Sequence, residues 1–297
     1  MDDWIRLNAP ALLAADLPER TTILDPILAT KSLALLYGPR GLGKTFVALG
    51  IARAAAAGES FLGWKSPRPH RVLYLDGEMA AADIRARVAA FGPPPPTLEF
   101  MLADLNRGPL LDLADPRSQA RLFDAWGDPE LVVLDNLASL AGLTTGDPDR
   151  WSELQRFLME LRRLGLAVLM VHPANKQGLQ RGSSRREDML DLVMAMRRPE
   201  GWRPSDGPRF EIHFEKARSL HGAAIESIET RLEQRAGRLH WQWATAADDP
   251  RLARVVALLE RGMSATHIGE QLGLSRSLAY KLRDRARRLD IPPATGG

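Results

Sequence analysis

Short apolar runs alternate with longer amphipathic, alanine-rich stretches along the first half of the chain. The apolar runs are typical of buried strands and cover residues 32–38, 71–77, 98–102, 131–136 and 166–172. Between them, apolar residues at helical spacing followed by glycine predict helices over 44–58, 81–92 and 149–165. This alternation predicts an α/β fold with a mostly parallel sheet covered on both faces. No element is assigned to residues 108–130.

The pattern changes in the second half of the chain. Residues 209–217 and 224–244 alternate apolar and polar positions with period two, and "AG" interrupts the second segment as a hairpin turn would. These segments predict antiparallel strands added to the sheet edge. The chain therefore divides into a first domain over 1–245, a linker over 246–250 and a small all-α domain over 251–290.

Composition narrows the class of protein. The chain has 297 residues, of which 45% are hydrophobic and 26% charged, enough for a substantial core. The longest apolar stretches have about six residues, whereas a membrane-spanning helix needs roughly 20. With no signal-peptide pattern at the N-terminus, we expect a cytoplasmic protein with no membrane partner. The absence of cysteine excludes disulfides and thiolate metal sites.

The net charge of +3 is unevenly distributed. Residues 251–297 hold nine lysines and arginines and four acids, a net charge of +5, so the remainder of the chain carries −2. A basic tail of this kind is typical of an appended nucleic-acid-binding module. A solvated basic helix in an arginine-rich protein is an equally open interpretation.

The strand predicted over 32–38 leads into a glycine-rich loop, "GPRGLGKT", which fits the pattern G-x-x-x-x-G-K-[ST]. Glycine lets the loop amides approach a phosphate closely, and the following helix directs its positive dipole end at the same anion. Lys44 would neutralise the β- and γ-phosphates and Thr45 would bind Mg²⁺. A plain strand-to-helix turn is the alternative. The predicted nucleotide-contacting residues are Gly38, Pro39, Arg40, Gly41, Leu42, Gly43, Lys44, Thr45 and Phe46.

Acidic residues end two of the other predicted strands. Asp135 closes "LVVLD" at the sheet edge where ligands gather, and would be the second Mg²⁺ ligand. An aspartate that merely starts a turn is the alternative. Asn136 follows it, so no glutamate is available there as the catalytic base. Glu78 in "LDGEM" is the candidate base, while Asp76 shares its strand end and either residue could instead cap the next helix.

Together these motifs resemble the RecA-like ATPase superfamily, and specifically its hexameric replicative-helicase branch with the plasmid RepA helicases. That branch takes its catalytic glutamate from the second strand, as Glu78 would provide. It also carries a polar sensor after the strand that follows Walker B, matched here by His172. An R-G-S-S loop is matched by "QRGSSRRED", and a strand closing on K-x-R is matched by Lys216 and Arg218. The resemblance covers about residues 25–245.

The resemblance implies an ATPase that uses ATP and Mg²⁺, as a homo-oligomer, most simply a hexamer, with ATP at subunit boundaries. Lys216 and Arg218 would then reach the neighbour's γ-phosphate, and Arg181 is a second candidate for that role. His172 would sense the γ-phosphate rather than serve as a buried structural histidine. Solvated charge is the alternative for the cationic residues. The loop 173–188 would face the central channel and bind single-stranded DNA through Lys176, Arg185 and Arg186.

The tail predicts three short helices with helix-turn-helix spacing, which relatives of the RepA type do not need. Ser264 and Ser275 would cap the second and third helices, and Gly273 would permit the sharp turn between them. Leu278, Ala279 and Leu282 would pack inward, and a protein-docking bundle is the alternative. The residues predicted to contact duplex DNA in its major groove are Arg276, Ser277, Tyr280 and Lys281.

These features favour an oligomeric, DNA-dependent ATPase, a helicase or translocase acting in replication or maintenance of a DNA element. A DNA-binding regulator whose assembly is switched by ATP, without unwinding activity, is the main alternative. A scaffold ATPase that does not bind DNA is a third hypothesis.

Overall fold

A computed structural model of the chain describes residues 5–142, 148–174, 188–199, 201–245 and 250–288. The helices of these ranges are α1 (Ala9–Ala14), α2 (Lys44–Ala57), α3 (Ala81–Ala90), α4 (Pro116–Ala125), α5 (Leu137–Leu140), α6 (Pro148–Arg163), α7 (Pro250–Glu260), α8 (Ala265–Leu272) and α9 (Arg276–Arg288). The strands are β1 (Thr22–Leu24), β2 (Leu28–Ala29), β3 (Leu33–Gly38), β4 (Ser60–Phe61), β5 (Trp64–Lys65), β6 (Val72–Asp76), β7 (Leu98–Leu102), β8 (Leu131–Asp135), β9 (Ala167–Pro173), β10 (Leu192–Arg197), β11 (Arg209–Ala217), β12 (Ile228–Arg235) and β13 (Arg238–Thr245).

A nine-stranded sheet organises the first 245 residues, in the order β13-β12-β11-β10-β3-β9-β8-β6-β7. The six adjacent strands β10, β3, β9, β8, β6 and β7 run parallel to one another. Strands β11, β12 and β13 extend the sheet beyond β10 with antiparallel pairing. Strands β3, β6 and β8 are buried at every residue, as expected for strands covered on both faces. The predicted α/β fold, a mostly parallel sheet with added antiparallel strands, is confirmed.

Successive residues of the central strands contribute to two separate cores. Ala34 and Leu36 of β3 point to the face that α2 covers, and Leu33 and Leu35 point to the face that α6 covers. The close approach of α2 depends on Gly50, since a Cβ atom there would lie 2.2 Å from the ring of Phe61. Packing of α2 on one face and α6 on the other fixes the positions of the carboxyl ends of β3, β6 and β8.

Most elements predicted from the apolar pattern are present, and several further elements were not predicted, among them β10 and α4. The five predicted strands correspond to β3, β6, β7, β8 and β9, and the predicted hairpin turn separates β12 from β13. Strand β10 was not predicted, although it lies between β3 and β11 in the centre of the sheet. Helix α4 lies inside the segment 108–130 that had no assignment. The predicted linker 246–250 falls almost wholly outside the described residues.

A carboxylate fixes the start of β6 against the start of β8. Glu130 accepts hydrogen bonds from the side chain of Arg68 at 2.6 Å and from the backbone of Arg71 at 3.1 Å, and it contacts the buried His70 at 3.2 Å. Burial alone would raise the pKa of Glu130, but these hydrogen bonds outweigh it and lower that pKa to about 2. The ionised form of Glu130 therefore stabilises the fold.

Helices α7, α8 and α9 enclose a small apolar cluster of their own, to which Val255, Ile268 and Leu282 contribute. Ser264 caps α8, and the hydroxyl of Ser275 accepts a hydrogen bond from the backbone of Leu278 at 3.2 Å. Gly273 ends α8 in the left-handed conformation (φ +64°). The division of the chain into domains stays a prediction. Across the described ranges, no helix combines the length and apolarity needed to cross a membrane.

Candidate nucleotide-binding site

The glycine-rich loop joins the end of β3 to the first residue of α2. Gly38 is the last residue of β3, and a Cβ atom there would lie 2.8 Å from the backbone oxygen of Met196 on the neighbouring strand. Gly43 precedes α2 with φ +100°, a conformation that favours glycine. The loop conformation therefore depends on two of the glycines that define the motif.

The side chain of Lys44, the first residue of α2, folds back onto this loop. Its Nζ donates hydrogen bonds to the backbone oxygens of Gly38 at 2.9 Å and Pro39 at 2.8 Å. Burial lowers the pKa of Lys44, while the negative charges of Asp135 and Glu78 oppose that shift. The ammonium group is thus held inside the loop by weak carbonyl acceptors, which a phosphate could replace.

Asp135 ends β8 and faces the loop from the other side. The residue is 4% exposed, and its Oδ2 accepts a hydrogen bond from the hydroxyl of Tyr74 at 2.6 Å. Burial raises the pKa of Asp135, and hydrogen bonds from Tyr74 and Thr45 partly offset this. Burial also raises the pKa of Tyr74 well above its ordinary value, so Tyr74 stays a donor. Sequence reasoning missed Tyr74, whose role depends on the pairing of β6 with β8.

Asp76 and Glu78 have different surroundings at the end of β6. Oδ1 of Asp76 accepts hydrogen bonds from the backbone of Glu78 at 3.0 Å and of Met79 at 2.6 Å, so Asp76 fixes the turn. Glu78 is exposed to the cavity, and its carboxylate accepts a hydrogen bond from the side-chain amide of Asn136. Neither residue caps α3, as the sequence had suggested one of them would, because the backbone of Ala81 donates to Asp104 at 2.9 Å instead. Asp76 fixes the turn before the helix and Glu78 faces the site. Its role as catalytic base stays a prediction.

The oxygen donors of Thr45 and Asp135 fit a magnesium ion. Both are hard ligands, and both residues line the same cavity. Among the described residues, no group of three or more acidic or histidine side chains forms a complete metal cage. Mg²⁺ bound with a nucleotide needs only one or two protein oxygens, because phosphates and water complete its shell. The same residues line a cavity of about 710 Å³, together with residues 40–46 and Glu78.

His172 lies on β9, the strand beside β3. It is paired with Tyr37, and Pro173 is paired with Gly38 at the start of the loop. The imidazole is 7% exposed, and its Nδ1 lies 2.7 Å from the backbone oxygen of Pro173. Pro173 lines the cavity, whereas His172 is not one of the residues that line it. The sensor role of His172 stays a prediction.

The two residues of the K-x-R motif lie near the starts of β10 and β3, at the end of the sheet away from the glycine-rich loop. Lys216 is paired with Val193, and the backbone of Arg218 donates to the oxygen of Asp191, which itself bonds Leu33 at the start of β3. Gly38 is five residues further along β3 than Leu33 and three further than Leu35, the residue level with Lys216. At about 3.3 Å per residue, Arg218 is therefore offset from the loop by about 17 Å along the strand direction and Lys216 by about 10 Å. The guanidinium of Arg218 donates to the backbone oxygen of Asp188. Within one chain, neither residue is placed to contact a nucleotide in the loop.

The remaining predicted DNA contacts divide into two groups. Arg181, Lys176, Arg185 and Arg186 lie outside the described residues. In the tail, Arg276, Ser277 and Lys281 are exposed on α9, and Tyr280 is half-buried on the same face. The guanidinium groups of Arg276 and Arg283 lie 5.8 Å and 4.6 Å from the ring centre of Tyr280. Ala279 and Leu282 are buried, in agreement with the predicted inward face.

Sequence reasoning also missed residues in the connection between β10 and β11. Arg198 and Trp202 line the same cavity as the glycine-rich loop. The guanidinium of Arg198 stacks over the indole of Trp202, 3.8 Å from the ring centre. The motif "RRPEGWRP" carries an aromatic residue beside several cations, but nothing in its spacing connects it with a loop 160 residues earlier.

The chain resembles several known proteins. A family model described as "AAA domain" matches residues 6–178. The DNA repair protein RadA of Brucella abortus (strain 2308) is 26% identical over 168 residues, 55% of this chain and 32% of that protein. The chain therefore spans about a third of the length of this curated relative. A KaiC-like protein from the hyperthermophilic archaeon Pyrococcus horikoshii OT3 has a TM-score of 0.52 at 16% identity, covering 74% of this chain and 93% of that chain. This likeness supports the RecA-like fold.

Proposed function

The chain belongs to the AAA domain family, and on that premise we propose that it is an oligomeric, DNA-dependent ATPase that works as a helicase or translocase on a DNA element. At the coarser level it is a RecA-like P-loop ATPase. The observation that carries the proposal is the convergence of Lys44, Thr45, Asp135 and Glu78 on one cavity at the carboxyl ends of β3, β8 and β6.

Each residue of this cavity has a separate task in ATP hydrolysis. The loop amides bind the phosphates, and Lys44 balances their charge once its Nζ leaves the carbonyls of Gly38 and Pro39. Mg²⁺, held by Thr45 and Asp135, supplies further charge neutralisation when it is bound. Glu78 orients the attacking water, and the amide of Asn136 positions the Glu78 carboxylate.

The position of Lys216 and Arg218 supports an oligomer. Arg218 lies about 17 Å and Lys216 about 10 Å along β3 from the loop of their own chain, a separation that favours action on a nucleotide bound by a neighbour. In a head-to-tail arrangement of subunits, one surface of each subunit contacts a different surface of the next. Lys216 and Arg218 of one subunit would then face the glycine-rich loop of its neighbour. A closed ring of this kind, most simply a hexamer, leaves a central channel for single-stranded DNA.

Two observations support DNA as the partner. A curated relative is a protein named for DNA repair. The tail carries a net charge of +5, and α9 exposes Arg276, Ser277 and Lys281 on the face that also presents Tyr280. A helix of this kind is suited to the major groove of duplex DNA, while phosphate contacts would supply most of the affinity.

ATP hydrolysis, measured with and without single-stranded DNA, tests the proposal. We expect DNA to stimulate hydrolysis and Lys44→Ala to reduce it by about 10²–10³-fold, as when one electrostatic donor is removed from an active site. Lys65→Ala, an exposed lysine on β5, is the matched control and should leave the rate unchanged. Equal rates in the wild type and Lys44→Ala would contradict the assignment of the site.

The tail also favours a second function, a DNA-binding regulator whose assembly is switched by ATP. The separate apolar cluster of α7, α8 and α9 supports recognition of duplex DNA independent of the ATP site. A strand-displacement assay separates the two functions. A helicase releases the displaced strand as ATP is consumed, whereas a regulator binds a defined duplex and displaces nothing.

A further inference from the structure

The connection between β10 and β11 forms one wall of the nucleotide cavity. Arg198, Trp202, Pro204 and Pro208 line this wall, and the glycine-rich loop lines the same cavity. None of these residues belongs to the motifs that bind phosphate or metal. The wall therefore faces a part of the cavity that the triphosphate and its metal leave open.

The order of the sheet fixes which end of a nucleotide reaches this wall. Asp135 and Glu78 follow β8 and β6, which lie on one side of β3, whereas β10 and β11 lie on its other side. A γ-phosphate that faces Asp135 and Glu78 directs the ribose and base away from them. The base thus extends towards the connection that carries Arg198 and Trp202.

Arg198 and Trp202 form a flat, preorganised surface there. The guanidinium lies 3.8 Å from the indole ring centre, and Nε1 of Trp202 donates to the backbone oxygen of Gly207 at 3.0 Å. Trp202 is half-buried, while Arg198 is exposed to the cavity. A guanidinium plane backed by an aromatic ring offers its outer face for stacking with a nucleobase.

We propose that Arg198 and Trp202 form the nucleobase subsite, with the base stacked on the outer face of the Arg198 guanidinium and Trp202 behind it. This inference rests on the proposed function, since it requires ATP in the glycine-rich loop. Stacking recognises the π-face that every base has, so it distinguishes bases by the area of their rings. The subsite therefore prefers purine over pyrimidine nucleotides and separates adenine from guanine only weakly.

Calorimetric titration with two ligands, each in the presence of Mg²⁺, tests the subsite. The ligands are a non-hydrolysable ATP analogue and inorganic tripolyphosphate, which has no base. We expect Trp202→Ala and Arg198→Ala to weaken binding of the ATP analogue about ten-fold, with tripolyphosphate binding unchanged. Trp202→Phe keeps an aromatic ring behind Arg198 and should retain most of the affinity. Trp243→Ala, a 43% exposed tryptophan on β13 outside the cavity, is the matched control.

The outcomes separate this inference from the function on which it rests. Wild-type affinity for the ATP analogue in both alanine variants would overturn the subsite and leave the phosphate site intact. A parallel loss of tripolyphosphate binding would overturn it as well, because the variants would then have disturbed the loop. If the wild-type protein binds neither ligand, the proposed ATPase function fails and the subsite fails with it.

Discussion

Arg218 gives the sharpest prediction about assembly, because it lies about 17 Å along β3 from the phosphate loop of its own chain. If it stabilises the transition state in a neighbouring site, Arg218→Ala lowers kcat by about 10³–10⁵-fold, the usual contribution of an arginine finger. Lys44→Ala also inactivates its own subunit. Each variant nevertheless retains the half of the shared site that the other has lost.

Mixing the two inactive variants therefore restores activity. In head-to-tail assemblies that exchange subunits at random, about a quarter of the boundaries combine an intact loop with an intact Arg218, so we expect about a quarter of the wild-type ATPase rate. The assay is steady-state phosphate release from an equimolar mixture after subunit exchange. Arg231→Ala, an exposed arginine on β12, is the control and should be fully active alone. Full activity of Arg218→Ala, or mixed oligomers without recovered activity, would show that Arg218 does not act across a subunit boundary.

The fold and the site give three further predictions. Tyr74→Phe removes the hydroxyl that donates to buried Asp135, so the free energy of unfolding in urea should fall by about 1–3 kcal/mol; an unchanged midpoint would contradict this. Glu130 has a pKa of about 2, below its ordinary value of 4.5, so its contribution to stability is complete above pH 4.5 and is lost as pH falls towards 2. Urea midpoints over that range should fall more steeply for the wild type than for Glu130→Gln, and parallel curves would exclude the effect. Gly38→Ala places a methyl group 2.8 Å from the Met196 oxygen and should abolish binding of an ATP analogue, whereas wild-type affinity would show that the strand can adjust.

The fold was predictable where local pattern decides the structure. Strands β3, β6 and β8 are continuous apolar runs bounded by polar or glycine residues, so length and composition identify them. Helix α4 was missed because it buries little more than Ser118 and Leu122, although Asp115 and Pro116 form a cap-and-proline start. Strand β10 is a short apolar run of the kind that periodicity alone cannot separate from a buried helical segment.

The site was predictable where one motif or one strand end supplies the residue. The spacing around Lys44 indicates a phosphate loop by itself, and Asp135 stands at a strand end where ligands gather. Tyr74 was missed because its partner is set by the register of β6 against β8, which no short stretch of sequence encodes. Arg198 and Trp202 reach the cavity only because β10 lies beside β3, so missing that strand also concealed this wall.

A crystal structure with Mg²⁺ and a non-hydrolysable ATP analogue would show where the phosphates bind. We expect them to be enclosed by the backbone of residues 38–45, with Nζ of Lys44 turned from the Gly38 and Pro39 oxygens towards them. The metal should lie between Thr45 and Asp135. An ordered nucleotide bound elsewhere, with Lys44 still donating to those two carbonyls, would show that the glycine-rich loop is not the nucleotide site.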